Sequence, residues 1–395
     1  MKKQIVFMLL MVILCGCQSG SRKSQTYDLP VIDISKNYPK KEIRLQDIAD
    51  IEYIPLETTD DVLLGNLSNL SYVSDNFIIA WDMSQGSVFT FNRKGKIINS
   101  FNHKGQGDKE YFMISSGGVI VDEKTDELFL FADRILVYSM SGEYKRTLKY
   151  PDSLKISSKA SNFDDETLLV YDEYNDWRDD NRTKPYLLLS KKDGSIVAEL
   201  DINLPVRYSN TIRQTVNDDS GQSVSQRFTF AYLNSRQYGF QDFVITEITS
   251  DTIYKLNQNK DLTPMLVRTP SVHASEPRVI WSTSLTTDKF IVFEKNTLDF
   301  NAGINNRDIP SVTFIYEFAS GEINEVSFLN SDFPVWGLRL GLLPPDIEKN
   351  MQALLLWPSR LKTAYEENQL HGKLRELAQT LDEEDNPVVM IVKFK

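Results

Sequence analysis

The chain is expected to be all-β: a six-bladed β-propeller with a short C-terminal helical insertion before the closing strand. Three observations predict this. Hairpin-like segments recur along the chain, their turn glycines fall roughly 50 residues apart, and each chain end carries one apolar strand with no local partner.

The repeats are SVFTFNRKGKIINSF from Ser87, RILVYSMSGEYKRTL from Arg134, PYLLLSKKDGSIVAEL from Pro185, TIYKLNQNKDLTPMLV from Thr252 and VTFIYEFASGEINEVSF from Val312. Each is an apolar or β-branched strand, a short polar turn and a second strand, the pattern of a hairpin. Gly95, Gly142, Gly194 and Gly321 supply the positive φ that tight hairpins need, and Asn259-Lys260 takes their place in the fourth copy. In the second copy, two earlier strands, Gly118 to Asp122 and Glu127 to Ala132, complete a four-stranded meander. Asn76 to Trp81, Thr167 to Tyr171 and Lys289 to Phe293 fill the same place elsewhere. Five copies lie between about Leu67 and Phe328. The sixth blade is expected from Ile51–Leu56 paired with Pro387–Phe394, which closes the ring and removes its exposed edges.

Between the fifth copy and the last strand, residues 344–382 form the helical segment, inside the last blade. Pro344 and Pro345 suit a helix start, and Pro358 should break or restart it. Leu370, Leu374, Leu377 and Leu381 share one helical face, expected to pack on the propeller.

The N-terminus is a separate matter. Lys2 and Lys3 precede an apolar run from Ile5 to Leu14, about 10 residues long, which suits a signal peptide and falls short of the roughly 20 that a membrane span needs. Leu14-Cys15-Gly16-Cys17 resembles a bacterial lipobox, with a small residue ahead of Cys17. Residues 1–16 are therefore expected to be the leader, Cys17 the lipidated residue, 17–41 a polar tether and 42–395 the propeller. Gln18 favours the outer membrane. With Cys15 removed and Cys17 acylated, neither of the two cysteines is left for a disulfide. The net charge of −11 excludes a nucleic-acid binder, which needs a basic face, and leaves sugars, peptides and proteins open.

IEYIPLETTDD from Ile51, GQGDKEY from Gly105 and DNPVVMIVKFK from Asp385 resemble the six-bladed β-propeller lipoproteins of Gram-negative gut-type bacteria. Lys109 stands where that family usually has glycine, and Asp108 where it has proline. The stretch from GQGDKEY through RILVYSMSG also resembles an NHL-like repeat. The resemblance implies a fold and an envelope location, and no activity.

Signs of chemistry are few. No G-x-S-x-G, H-E-x-x-H or P-loop pattern occurs. HKGQGDKEYF from His103 has the glycines of a phosphate cradle but no following helix, so it is expected to be a crossing between blades locked by Glu110 and Tyr111. His103 and His273 are the candidate metal ligands, should the ring bring them together; solvent-facing loop histidines are the plainer alternative. The segment YDEYNDWRDDNR gathers Asp172, Glu173, Tyr174, Asp176, Trp177 and Arg178, a candidate contact for a ligand or partner. Its carboxylates could also collect Ca2+, although the spacing is not that of an EF-hand; a solvated hairpin loop is the plainer reading of the segment and is preferred to both. Arg207 to Gln226 is expected to be a polar loop. The functional expectation is a non-catalytic, lipid-anchored envelope protein that binds or scaffolds a glycan, peptide or protein partner. The alternative is a metal-assisted lyase or hydrolase acting at the channel mouth.

Overall fold

The computed structural model describes residues 29–115, 117–149, 151, 154, 159–174, 181–209, 211–217, 221–229, 236–238, 242–298, 311–338, 346–347 and 350–395. They form a six-bladed β-propeller. The first blade is the meander Ser68–Val73, Phe77–Asp82, Ser87–Asn92 and Ile97–Asn102. The second is Val119–Asp122, Glu127–Phe131, Ile135–Tyr138 and Tyr144–Leu148. The third is Lys159–Asn162, Thr167–Tyr171, Tyr186–Ser190 and Ile196–Glu199. The fourth comprises Arg236–Tyr238, Asp242–Ile245, Thr252–Leu256 and Leu262–Thr269, and the fifth Val279–Thr286, Phe290–Thr297, Ser311–Glu317 and Ile323–Asn330.

The sixth blade joins the chain ends. Val388–Phe394 lies antiparallel to Ala49–Pro55, in register from Val388↔Pro55 to Phe394↔Ala49, with Met351–Leu356 on its other side. The expected ring closure is thus observed.

Strand periodicity explains how the blades stack. In Glu127–Phe131, Leu128 and Leu130 face back to Ile79, Trp81 and Val88 of the first blade, while Phe129 and Phe131 face forward to Leu168, Val170 and Leu187 of the third. Alternate residues of one strand therefore fill two different seams, so these strands are apolar at consecutive positions. Burying each such side chain contributes about 1.5–3 kcal/mol.

The hairpin glycines also hold the seams. Gly95, Gly142, Gly194 and Gly321 have φ of 77°, 89°, 80° and 71°, and Lys260 takes φ 68° in the fourth copy. At the first three a second constraint acts: a Cβ on Gly95 would come within 2.0 Å of the Pro55 carbonyl oxygen, on Gly142 within 2.7 Å of the Phe101 ring, and on Gly194 within 2.3 Å of the Lys149 carbonyl oxygen. Each neighbour closes the outer strand of the preceding blade.

HKGQGDKEYF is the connector from the first blade to the second. Gly105 lies where a Cβ would meet the Glu110 carboxylate at 2.0 Å, and that carboxylate accepts the Gly107 N–H at 2.8 Å. The buried Tyr111 hydroxyl donates to the Gly86 carbonyl at 2.6 Å and accepts the His103 N–H at 3.0 Å. Arg134 donates to the carbonyls of Gly107 and Glu110, and Tyr138 to that of Lys109. The glycines make room for a carboxylate of this chain.

Three expectations need correction. The tether does not extend to residue 41: Val31–Asp33 runs parallel to Leu262–Thr269, and Lys40–Arg44 parallel to the outer strand of the fifth blade. Ile32 and Ile34 are buried in the main core, an apolar alternation that a polar tether would lack. The helical segment is shorter than 344–382, because Met351–Leu356 is a strand whose apolar run is held by Val388–Phe394. Helices occupy Pro358–Glu366 and Gly372–Thr380, with Pro358 in the first turn as a restart; Leu370, Leu374 and Leu381 are buried against the body. The segment from Arg207 to Gln226 includes most of an antiparallel hairpin, Thr211–Asn217 with Ser223–Thr229. Among the described residues no helix is long and apolar enough to cross a membrane.

Candidate functional site

Of the residues singled out from sequence, Cys17, Asp176, Trp177 and Arg178 lie outside the described residues. Asp172, Glu173 and Tyr174 follow the second strand of the third blade and sit over an ionic cluster. Arg207 stands at its centre, donating to the Tyr171 hydroxyl at 3.0 Å and to the carbonyls of Asp172 at 2.9 Å and Arg182 at 3.1 Å. Its Nε lies 3.7 Å from Glu247, to which the Tyr171 hydroxyl donates at 3.0 Å. Burial lowers the Arg207 pKa, but the neighbouring Tyr171 and Glu247 outweigh it and hold the guanidinium above its ordinary value. Burial, then the Glu247 charge, pushes the Tyr171 phenol well up. Asp172 itself is fully buried, its carboxylate 3.7 Å from Arg182 Nε, so it braces the base of the loop and does not face solvent.

The two candidate metal histidines occupy different seams. His103 donates through Nε2 to the Gly142 carbonyl at 2.8 Å and stacks on Tyr138, with centroids 5.2 Å apart. His273 Nδ1 is 2.7 Å from the Tyr208 hydroxyl. Among the described residues no three His, Cys, Asp or Glu side chains converge as a metal site, for Ca2+ or any other ion.

Sequence reasoning missed a cavity on the ring. It has a volume of about 860 Å3 and is lined by Tyr72, Asp122, Glu123, Lys124, Asn162, Phe163, Asp164, Asp165, Glu166 and Gln258. Tyr72, Asp122 and Asn162 belong to the first strands of three successive blades, at or near their ends, and these strands pack side by side around the ring. The turns that follow carry the acidic groups. Glu123 is fixed by the Tyr72 hydroxyl at 2.9 Å and by Asn76 Nδ2 at 2.7 Å. Asp164 Oδ1 accepts the backbone N–H groups of Glu166 and Thr167 and the Thr167 hydroxyl, an arrangement dictated by the tight turn DDET. Lys124 bonds Asp165 at 2.5 Å, which lowers the carboxyl pKa and raises that of the amine.

Beneath the acidic wall lies a buried ion pair. Lys191, from the outer hairpin of the third blade, reaches Asp122 at 2.6 Å and the Asp164 carbonyl at 2.5 Å; its side chain is 7% exposed and that of Asp122 5%. This pair ties the turns of two blades into one floor. The lining carries five carboxylates, of which Asp165, Asp122 and Asp164 lie against Lys124, Lys191 and Lys260, so the cavity keeps an excess of two negative charges with hydrogen-bond acceptors at its wall. The recurrent acidic turns Asp122-Glu123 and Asp164-Asp165-Glu166 were the available signal in the sequence.

One family and two solved structures are similar to this chain, and the first structure supports the architecture. A family model described as "Domain of unknown function (DUF4934)" matches residues 29–393. A solved structure of a Bacteroides fragilis protein described as exported is similar at TM-score 0.61 and 14% identity, over 92% of this chain and 99% of that one. A Bacteroides vulgatus member of the duf4221 family is similar at TM-score 0.46 and 11% identity, over 88% of this chain and 97% of that one. No curated protein matches the sequence.

Proposed function

We propose that this chain, which belongs to the DUF4934 family, is a lipid-anchored binding propeller of the cell envelope. Its ligand is an amine-bearing group, carried by a basic peptide or protein segment or by an amino sugar, held in the acidic cavity. One observation carries the reading: a cavity of about 860 Å3 whose five lining carboxylates outnumber the three lysines set against them, an excess of two negative charges that Glu123 and Glu166 supply. That volume falls in the range of ligand sites, roughly 300–1,000 Å3. The wall is prearranged, because Glu123 and Asp164 are already held by Tyr72, Asn76 and the backbone, which reduces the ordering cost of binding. An ammonium about 4 Å from one carboxylate gains about 1–4 kcal/mol at a hydrated protein surface. The role is binding, without turnover.

The leader, the lipobox around Cys17 and the described export of the Bacteroides fragilis relative support the envelope location and the anchor. Gln18 favours the outer membrane as its site.

The test is calorimetric titration with hexalysine and with the same peptide fully acetylated. Hexalysine should bind, more weakly as salt rises, and the Glu123→Gln/Glu166→Gln variant should lose roughly fivefold in affinity, about 1 kcal/mol. Equal binding of both peptides, or no effect of the variant, contradicts the reading.

A further inference from the structure

A second polar site lies where the third, fourth and fifth blades meet, apart from the acidic cavity. Tyr208 follows Arg207 on the segment leaving the third blade, His273 sits in the short turn Val272–Ala274, and Arg278 directly precedes Val279–Thr286. The Arg278 guanidinium lies over the Tyr208 ring, 3.3 Å from its centroid. The Tyr208 hydroxyl is 2.7 Å from His273 Nδ1, with ring centroids 5.3 Å apart. When that hydroxyl donates, Nε2 is left as the N–H, so both His273 and Arg278 present donors.

The surrounding charges leave Arg278 in excess. Glu247 is matched by Arg207 and Asp251 by Arg268. Glu276 is exposed on the adjoining turn, and among the described residues Arg278 makes no ion pair. The backbone around it is pinned: the Leu298 N–H bonds the Arg278 carbonyl at 2.8 Å, the Val279 N–H bonds Ser275 Oγ at 3.1 Å, and the Val272 N–H bonds Asp251 at 2.7 Å. A guanidinium held flat on an aromatic ring keeps its N–H edge free for two parallel bonds to a planar or tetrahedral oxyanion.

We propose that Tyr208, His273 and Arg278 form an oxyanion-binding site that takes a carboxylate or phosphate group of a ligand. Arg278 is the bidentate donor, His273 the second donor, and Tyr208 the platform that orients both.

The chain has three histidines, so their imidazole proton signals can be assigned with single His→Gln variants. The experiment titrates the folded chain with glucuronate, with inorganic phosphate and with glucose. Glucuronate or phosphate should shift the His273 signal saturably, leaving those of His103 and His371 in place, and glucose should not; the stronger of the two anions identifies the group. Arg278→Ala should weaken the response at least tenfold, as expected for losing a charge-assisted pair, with Arg278→Lys in between. An unmoved His273 signal with both anions, or an equal response in Arg278→Ala with its other signals native, overturns the proposal.

Discussion

Lys191→Met is the sharpest perturbation of the cavity floor. Methionine keeps the length of the lysine stem and removes the ammonium, so packing over Phe129 is largely conserved. What is lost is the 2.6 Å bond to Asp122 and the 2.5 Å bond to the Asp164 carbonyl. The Asp122 carboxylate, 5% exposed, would keep one long hydrogen bond from the Thr125 N–H at 3.4 Å. Breaking a buried pair while leaving its partner charged costs about 3–5 kcal/mol. Urea unfolding followed by tryptophan fluorescence should show that loss. In Lys191→Met/Asp122→Leu no buried charge remains, and most of the stability should return. A cost below about 1 kcal/mol for Lys191→Met would refute the reasoning, because it would mean that water from the cavity already solvates Asp122.

Further outcomes follow from the seams, the connector and the termini. Gly321→Ala, with no atom within 4 Å of the new Cβ, should cost only the strain of positive φ, about 1–2 kcal/mol, whereas Gly142→Ala also meets Phe101 and should cost more in the same unfolding assay. Burial holds the Tyr111 phenol at about 12, above its unfolded value near 10. Its contribution is therefore complete below pH 10 and lost as pH rises toward 12. Tyr111→Phe should be less stable at neutral pH, since it leaves the Gly86 carbonyl and the His103 N–H without that hydroxyl, and should show a shallower alkaline decline. Cys17→Ala should abolish fatty-acid labelling and membrane association in cells; unchanged labelling would remove the anchor. Deleting Val388–Phe394 should give aggregated protein, because Ala49–Pro55 and Met351–Leu356 each lose the strand between them.

The fold was legible where one residue type answers to one backbone requirement. Gly95, Gly142 and Gly194 announced their hairpins because positive φ favours glycine, and even the fourth copy, with Lys260 in that conformation, kept its place through the flanking apolar strands. The terminal strand Val388–Phe394 was legible as an apolar run without a local partner. Val31–Asp33 was hidden because three residues carry too little periodicity, and their partner lies more than two hundred residues away. Met351–Leu356 reads as helix from sequence because a short apolar run between prolines does not distinguish the two states. At the candidate site, Asp172 drew notice as one carboxylate among many, but its burial depends on Arg182 and Arg207, which only folding brings near. The cavity stayed hidden for the same reason: Tyr72, Asp122 and Asn162 are neighbours around the ring and distant along the chain.

The most direct measurement of the central claim is hydrogen exchange of the whole lipid-free chain with and without hexalysine. Protection confined to the turns after Val119–Asp122 and Lys159–Asn162, and diminished in Glu123→Gln/Glu166→Gln, is the predicted result. Protection centred on the connector from His103 to Phe112, or no change anywhere at saturating peptide, would contradict it.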